Sequence, residues 1–360
     1  VSEIVFILGA GASKQAGAPV MKEFLDAAER LARDEDLGGA RADFELVSKG
    51  LDALQQAQSK AYLDLVNIES VFAAFEATAF AGRLGSLPGE EIKRLPTAMR
   101  RVIATTLERL IVFTNSEGRI RPPAPYGAFA DLVGELVWPN WEPRPLRASV
   151  ITFNYDVCLD LALQVGGVPV NYGLGEPTAT PADVSLLKLH GSLNWARCPE
   201  CQALGAWDLG DFLARSDFRG EAVRLEVASR IHEFSPCGKC GKPPDGPMIV
   251  PPTWNKGQYH GELREVWRGA ARELSNAESI IVVGYPFPPT DQFFHYLYAV
   301  GTIGDARLRR FWVFDPDDEV KGRFEGLLGQ QGVDRFRFHR ATFEGSIGTC
   351  RELIGEGRVT

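Results

Sequence analysis

The chain has 360 residues, 45% of them hydrophobic and 24% charged, with a formal net charge of -8. That length and apolar content predict a large buried core, as one domain carrying an insertion or as two domains. The acidic balance argues against extensive wrapping of nucleic acid, whose phosphates call for a basic surface. No apolar run reaches the roughly 20 residues of a membrane span and no basic leader precedes the first strand, so the expectation is a soluble, cytoplasmic protein without a membrane partner.

From Ile4 the chain reads IVFILGAGASKQAGAPVMKEF. Ile4 to Leu8 lacks glycine and proline and is largely β-branched or aromatic, which predicts a buried first strand. Gly9, Ala10, Gly11, Ala12 and Ser13 then turn the chain toward a helical pattern from Met21 to Leu31. Glycines between a strand and a helix let main-chain N–H groups approach a ligand, and a helix start favours phosphate. The stretch therefore predicts a nucleotide diphosphate at this turn, although a sharp turn of an ordinary α/β protein reads the same way. It is neither the standard dinucleotide fingerprint nor a phosphate loop ending in Gly-Lys-Ser/Thr.

From Ala27 to about Leu110, ELVSKGLDALQQAQ, NIESVFAAFEATAFAGRL and PTAMRRVIATTLERLIVF each offer an apolar face at helical spacing and read as a helical insertion. RPPAPYG and WPNWEPRP bracket a short helix. ASVITFNYD supplies a second buried strand, PVNYG a shorter element, and VSLLKLHGSLNW a third strand. Strands resume at PMIV, ESIIVVGYPF, RRFWVFDPD and RFRFHR, the last an edge or half-exposed strand, before a terminal helix around Ile347 to Ile354. Strands recurring among helices predict a mostly parallel sheet covered on both faces, with ligands gathering where strands end.

Between Trp195 and this second series of strands lie CPEC and CGKC, enclosing a stretch, FRGEAVRLEVASRIHEF, that reads as helical. Cys198, Cys201, Cys237 and Cys240 form two Cys-x-x-Cys knuckles able to present four thiolates tetrahedrally to zinc, with Gly238 and Gly241 easing the wrap of the second segment. Four protein ligands leave no position for water, so the zinc is structural. Paired disulfides and reduced thiols are the other readings. Cys158 and Cys350 read as buried thiols.

GAGASKQAGAP, FNYD, LHG and VVGYPFPPTD, with the paired knuckles, resemble the sirtuin family and its sirtuin-like relatives in bacterial antiphage defence. The first motif matches through Gly9, Gly11, Ser13, Gly17 and Pro19, the second through Asn154 and Asp156, the third through His190 as catalytic histidine. VVGYPFPPTD resembles the late glycine-containing nucleotide loop, with Gly284. The fold implied is α/β, a Rossmann-like mostly parallel sheet with a helical insertion and a small four-cysteine zinc module. Its divisions are 1–29, 146–195 and 247–360 for the NAD-binding core, 30–145 for the insertion and 196–246 for the zinc module.

The resemblance implies NAD as substrate, held by Gly9, Ala10, Gly11, Ser13, Gly17, Pro19, Asn154, Asp156, Gly284 and Asp315, with His190, Asn154 and Asp156 catalytic. Ser13 touches phosphate or caps the first helix, Asp156 meets the carboxamide or caps the next helix, and Asp315 binds a ribose hydroxyl or forms an Asp-Pro turn. Lys14 and Lys22 read as electrostatic aids or as exposed helix lysines, and Trp254 and His260 as pocket lining, packing or surface. Cleaving the nicotinamide–ribose bond develops positive charge at the anomeric carbon. An asparagine orients a ribose hydroxyl or water there, and a neutral histidine accepts a proton.

Hydrolysis of NAD to nicotinamide and ADP-ribose leads, with protein-lysine deacylation second and a non-catalytic NAD or ADP-ribose sensor third. Deacylation ranks second because Val20, Met21 and Lys22 replace the Asp-Phe-Arg of deacylases, Phe153 stands where they have glutamine, and no Phe-Gly-Glu sequence is visible near IVPPTWNKG. The defence relatives imply regulated activity, assembly into a homo-oligomer, or assembly with a nucleic-acid-handling ATPase or an Argonaute-like protein.

Overall fold

Strand β1 (Glu3–Leu8) is buried from Ile4 to Leu8. Ile4, Phe6 and Leu8 enter one apolar cluster and Val5 and Ile7 another, so the strand lies between two covered faces and has no need of polar alternation. The computed structural model describes residues 3–56, 62–138, 146–174, 183–233, 237, 239–243, 246–250, 261, 263–288, 291–303 and 306–356. Gly238, Trp254 and His260 lie outside them.

After β1 come the short helix α1 (Ala10–Lys14), then α2 (Phe24–Asp34), α3 (Arg41–Gln56), α4 (Ile68–Ala81) and α5 (Gly89–Leu110). The hairpin β2 (Phe113–Ser116) and β3 (Arg119–Arg121) leads to α6 (Ala124–Val137), β4 (Arg147–Thr152), α7 (Cys158–Val165), β5 (Val170–Asn171) and β6 (Val184–Lys188). Next are β7 (Gly191–Arg197), β8 (Leu204–Ala206), α8 (Leu209–Ala214), β9 (Ala222–Val223) and β10 (Pro247–Ile249). The chain closes through α9 (Arg264–Asn276), β11 (Ser279–Val283), α10 (Gln292–Gly301), β12 (Arg310–Phe314), α11 (Glu319–Gly332), β13 (Phe336–His339) and α12 (Phe343–Glu356).

Seven strands pair in the order β13-β12-β11-β1-β4-β6-β5, every pair parallel. Ile7 lies opposite Ile151 of β4 on one side and Val282 of β11 on the other. The chain therefore leaves β1 toward β4 and later returns on the opposite side at β11. Loops that diverge in this way open a crevice at the carboxyl ends of the strands. Helices α9, α10 and α11 cover one face, while α6, α7, α12 and the helical insertion cover the other. Among the described residues no helix is long and apolar enough to cross a membrane.

The expected parallel sheet, the edge position of RFRFHR and the terminal helix are all present. Three segments differ from expectation. VSLLKLHGSLNW is two strands: β6 ends in the parallel sheet, and β7 begins a small antiparallel sheet ordered β10-β7-β8. The break falls at Gly191, whose φ of +81° suits glycine and whose added Cβ would lie 2.1 Å from the Met248 carbonyl oxygen.

Of the expected helix from Phe218 to Phe234, the described part, Phe218 to Glu233, contains β9 and a 3-10 turn at Ile231–Glu233 instead, while Phe234 lies outside the described residues. Val223, Leu225 and Val227 are among the buried residues of this part, and their two-residue spacing belongs to extended chain. The β2–β3 hairpin was not expected. Its turn residues Glu117 and Gly118 both have positive φ, the geometry that joins two twisted strands in two residues.

β9 pairs with β2, so the arm between the two cysteine knuckles lies against the helical insertion. Glu108 of α5 fastens it, accepting from the Ala228 and Ser229 amides and from the Ser229 hydroxyl. Burial pushes the Glu108 carboxyl up from 4.5 to about 7, against the lowering effect of those bonds. A carboxyl raised in the folded state contributes stability fully below pH 4.5, and the contribution is lost as pH rises through 7. A displacement of that size corresponds to roughly 3 kcal/mol. Urea midpoints measured from pH 4.5 to 8 are expected to fall across that window, and Glu108→Gln to flatten the decline; an unchanged slope in the variant contradicts this.

Candidate active site

Six loops at the carboxyl ends of β1, β4, β6, β11, β12 and β13 line one cavity of about 600 Å³, within the range of roughly 300–1,000 Å³ usual for ligand sites. Its first wall is the turn after β1, which meets the loop after β11 main chain to main chain. The Gly11 amide donates to the Gly284 carbonyl at 2.9 Å, and the Gly9 amide to Val283 at 3.1 Å. A Cβ on Gly9 would lie 2.6 Å from the Gly284 oxygen, and one on Gly11 would lie 2.8 Å from the Gly284 Cα. Gly284 itself has φ of +60°, and its Cβ would stand 2.6 Å from the Ala12 nitrogen. These glycines permit the crossing of two loops, so their presence is explained without a ligand.

Ser13 is the polar centre of the cavity floor, and only 2% of it is exposed. Its hydroxyl donates to Asp156 Oδ2 at 2.6 Å and accepts from Asn154 Nδ2 at 2.9 Å. Tyr126 lies 2.7 Å away, and burial, followed by the Asp156 charge, keeps the phenol protonated as a donor. One hydrogen and two lone pairs are thereby all used. Ser13 does not cap the first helix, whose N-cap residue is Gly9.

Asn154 also donates to the Gly9 carbonyl at 2.9 Å, which ties the loop after β4 to the opening turn. Asp156 accepts from the Cys158 amide at 3.0 Å, a turn just ahead of α7 whose N-cap residue is Val157, as well as binding Ser13. Beneath it, the fully buried Lys188 donates to the Asp156 carbonyl at 2.6 Å and to Asp160 Oδ2 at 2.8 Å. Tyr172 occupies the other oxygen of Asp160.

His190 follows β6, and its carbonyl accepts from the Val250 amide at 2.8 Å. Its ring is 3% exposed, edge-on to Phe153 at 5.1 Å and beside Tyr155 at 6.1 Å. The insertion forms part of the cavity wall through Asn67, the N-cap residue of α4, Ile68 of α4, and Ile103 and Leu107 of α5. At the far end Asp315 accepts from the Asp317 amide at 2.9 Å, the expected Asp-Pro turn, and burial raises its carboxyl.

Ala10, Gly11, Ser13, Pro19, Asn154, Asp156, His190, Gly284 and Asp315 all line this cavity. Gly9 lies behind the wall. Gly17, with φ of +100°, faces the Leu110 carbonyl and lines a neighbouring open cavity of about 660 Å³ that includes neither His190 nor Asn154. Lys14 and Lys22 line the central cavity, Lys14 paired with Glu23 at 2.7 Å. Tyr126, Lys188, Tyr285 and Asp291 had received no role from the sequence. A lysine within an otherwise apolar strand was the available signal for Lys188; Tyr126 gave none.

The four sulfurs of Cys198, Cys201, Cys237 and Cys240 lie within 4.8 Å of one another, which fits tetrahedral zinc with bonds of roughly 2.3 Å. The Lys239 and Cys240 amides lower the Cys237 thiol to about 6, and the Cys201 amide lowers Cys198. The Ala203 and Lys242 amides act the same way on Cys201 and Cys240, yet both thiols are held up by hydrogen bonds to neighbours that ionise first, Cys240 to about 12. A dication removes that conflict. These residues would hold the metal and brace β7 and β8, with no part in the cavity. Elemental analysis is expected to give about one zinc per chain, and Cys237→Ser with Cys240→Ser to lose it; full retention would refute the site.

The glycine crossing has a test of its own. Gly284→Ala is expected to destabilise the chain by more than about 1–2 kcal/mol, from left-handed backbone strain and the clash with Ala12. Gly322→Ala, in α11 with nothing near its Cβ, is expected to be neutral or to stabilise by up to about 1 kcal/mol. Chemical denaturation compares the two, and equal midpoints would contradict the crossing constraint.

No protein-family model matches the chain, and no curated protein sequence does. Solved structures do. A Sir2 homologue–NAD complex aligns at 15% identity over 99% of this chain and 90% of its own, with a TM-score of 0.39. A Sir2–p53 peptide–NAD+ structure aligns at 14% identity over 99% and 94%, with a TM-score of 0.39. Sir2Tm bound to a propionylated peptide aligns at 13% identity over 99% and 94%, with a TM-score of 0.36. Identity and superposition at this level carry no chemistry across, for which the residues of the cavity are the ground.

Proposed function

We propose that this chain hydrolyses NAD at the nicotinamide–ribose bond. The observation that supports the reading is the convergence of Asn154 and His190 on one cavity whose wall is the glycine turn after β1. Ala10 and Gly11 at that turn, with Lys14 and Lys22 beside it, would receive the diphosphate, and Asp315 at the far end a ribose hydroxyl. Asn154 is fixed by two bonds from Nδ2, which directs its Oδ1 away from the opening turn and toward a ribose hydroxyl or water.

The chemistry is a substitution at the anomeric carbon. The C–N bond breaks with its electron pair passing to nicotinamide, a water oxygen bonds to the oxocarbenium carbon, and His190 takes the water's proton and returns it to solvent. The products are nicotinamide and ADP-ribose. Aromatic walls from the buried Phe153 and Tyr285 and the partly buried Tyr155 exclude bulk water and hold the reacting ends in place. In a cell such turnover would need restraint, consistent with a regulated role in antiphage defence within a homo-oligomer or beside a nucleic-acid-handling partner.

A second reading, NAD-dependent protein-lysine deacylation, is favoured by the four-cysteine cluster, a module that many deacylating sirtuins carry. Mass spectrometry of nicotinamide, ADP-ribose and O-acyl-ADP-ribose, with NAD alone and with an acyl-lysine peptide, separates the two. Turnover of NAD alone is expected, with His190→Ala and Asn154→Ala each losing on the order of 10²-fold or more. Release of O-acyl-ADP-ribose only when peptide is present would reverse the order. Binding without turnover in any condition would leave the chain a sensor.

A further inference from the structure

Asp291 is buried beside His190, with Oδ1 3.9 Å from the imidazole Nε2. Its other oxygen, Oδ2, accepts from the Tyr285 hydroxyl at 2.8 Å. Tyr285 in turn stacks flat on Phe153, centroids 4.2 Å apart and planes 5° from parallel, and Phe153 meets the His190 ring edge-on. The carboxylate thus hangs from a phenol whose ring is locked into the aromatic wall that bounds the imidazole. Burial, then the Asp291 charge, holds the Tyr285 phenol well above its ordinary value, so it remains a donor at neutral pH.

We propose that Asp291, anchored by Tyr285, is the positioning residue for His190. The inference rests on the reading of His190 as the base of NAD hydrolysis. A carboxylate on the Nε2 side favours the neutral tautomer with hydrogen on Nε2 and leaves Nδ1 as the accepting atom. When Nδ1 takes the proton from water, the imidazolium that forms faces the Asp291 carboxyl group. At 3.9 Å the pair is an electrostatic contact rather than a hydrogen bond, and a small movement on substrate binding closes it.

The charged and titratable groups around the ring come from several elements. Tyr155 from the loop after β4 and Tyr285 from the loop after β11 flank it, and both phenols are held up first by burial. Glu69 of α4 reaches both tyrosines electrostatically. Among the described residues, Asp291 places a carboxylate oxygen 3.9 Å from the imidazole.

The test uses the full chain labelled with ¹⁵N at histidine, the His190 ring signals being assigned by their loss in His190→Gln. Asp291→Asn is expected to move the His190 titration to lower pH and to change its ring-nitrogen tautomer pattern. Tyr285→Phe is expected to shift the titration in the same direction by less. In NAD hydrolysis Asp291→Asn is expected to lower kcat about 10-fold or more with KM little altered, a part of the roughly 10²–10⁴ that a positioned base supplies. Unchanged His190 titration and tautomer in both variants overturn the proposal, whether or not either turns over NAD. Absence of turnover in the unmodified chain defeats the hydrolase reading alone, because the spectra still decide the pairing. If Asp291→Asn fails to fold, Tyr285→Phe carries the same decision.

Discussion

Two loops that touch through their main chains set the geometry of everything around them. The turn after β1 and the loop after β11 come within a distance that leaves no room for a Cβ at Gly9, Gly11 or Gly284, and Gly11 donates across the contact. Because β1 lies between β4 and β11 in the sheet, closing this contact aligns the ends of three strands. Asn154 reads the same turn from the other side by bonding the Gly9 carbonyl. Tyr285, the residue after Gly284, inherits its direction from the crossing and carries Asp291 with it. The arrangement is therefore built on short, directional main-chain contacts, and side chains are hung from them.

Below the crossing, Ser13 and Lys188 are each held in a set of hydrogen bonds. Ser13 uses all three of its hydrogen-bonding positions, on Asp156, Asn154 and Tyr126. Lys188 divides its charge between the Asp160 carboxylate and the Asp156 carbonyl, and Tyr172 completes Asp160. Burying such groups brings little net stability, because desolvation offsets the attraction, but leaving one partner out is costly. The sets thus fix one arrangement of the loop from Asn154 to Cys158. That loop is where rigidity matters most, since it presents Asn154 and Asp156 to the cavity.

The insertion and the cysteine arm act as one brace. Helices α4 and α5 supply part of the cavity wall, and α5 also grips the arm through Glu108. Arg224 of the arm binds Glu35 with two contacts, at 3.0 and 2.8 Å, and Arg109 reaches Glu226 at 3.1 Å. These last pairs are partly exposed and contribute little singly. The buried Glu108 contact is the stronger tie, and it joins the four-cysteine module to the cavity wall through α5.

By itself the sequence determined the parallel sheet, the edge strand at RFRFHR, the helical insertion and the four cysteines. Those features rest on local signals: unbroken apolar runs, helical spacing and paired knuckles. It also named Asn154, Asp156 and His190, which do meet in one cavity. It misread the arm from Phe218 to Phe234 as helix, although Val223, Leu225 and Val227 stand at extended spacing, because charged residues between them mimic an exposed helical face. Only the tertiary structure decided that VSLLKLHGSLNW breaks at Gly191, since the reason is a Met248 carbonyl distant in sequence. The same holds for the use of the glycines in a loop crossing, for Tyr126 and Lys188, and for Asp291 beside His190. Each depends on a partner brought close by chain closure, and no local pattern of residues encodes a neighbour tens to hundreds of positions away.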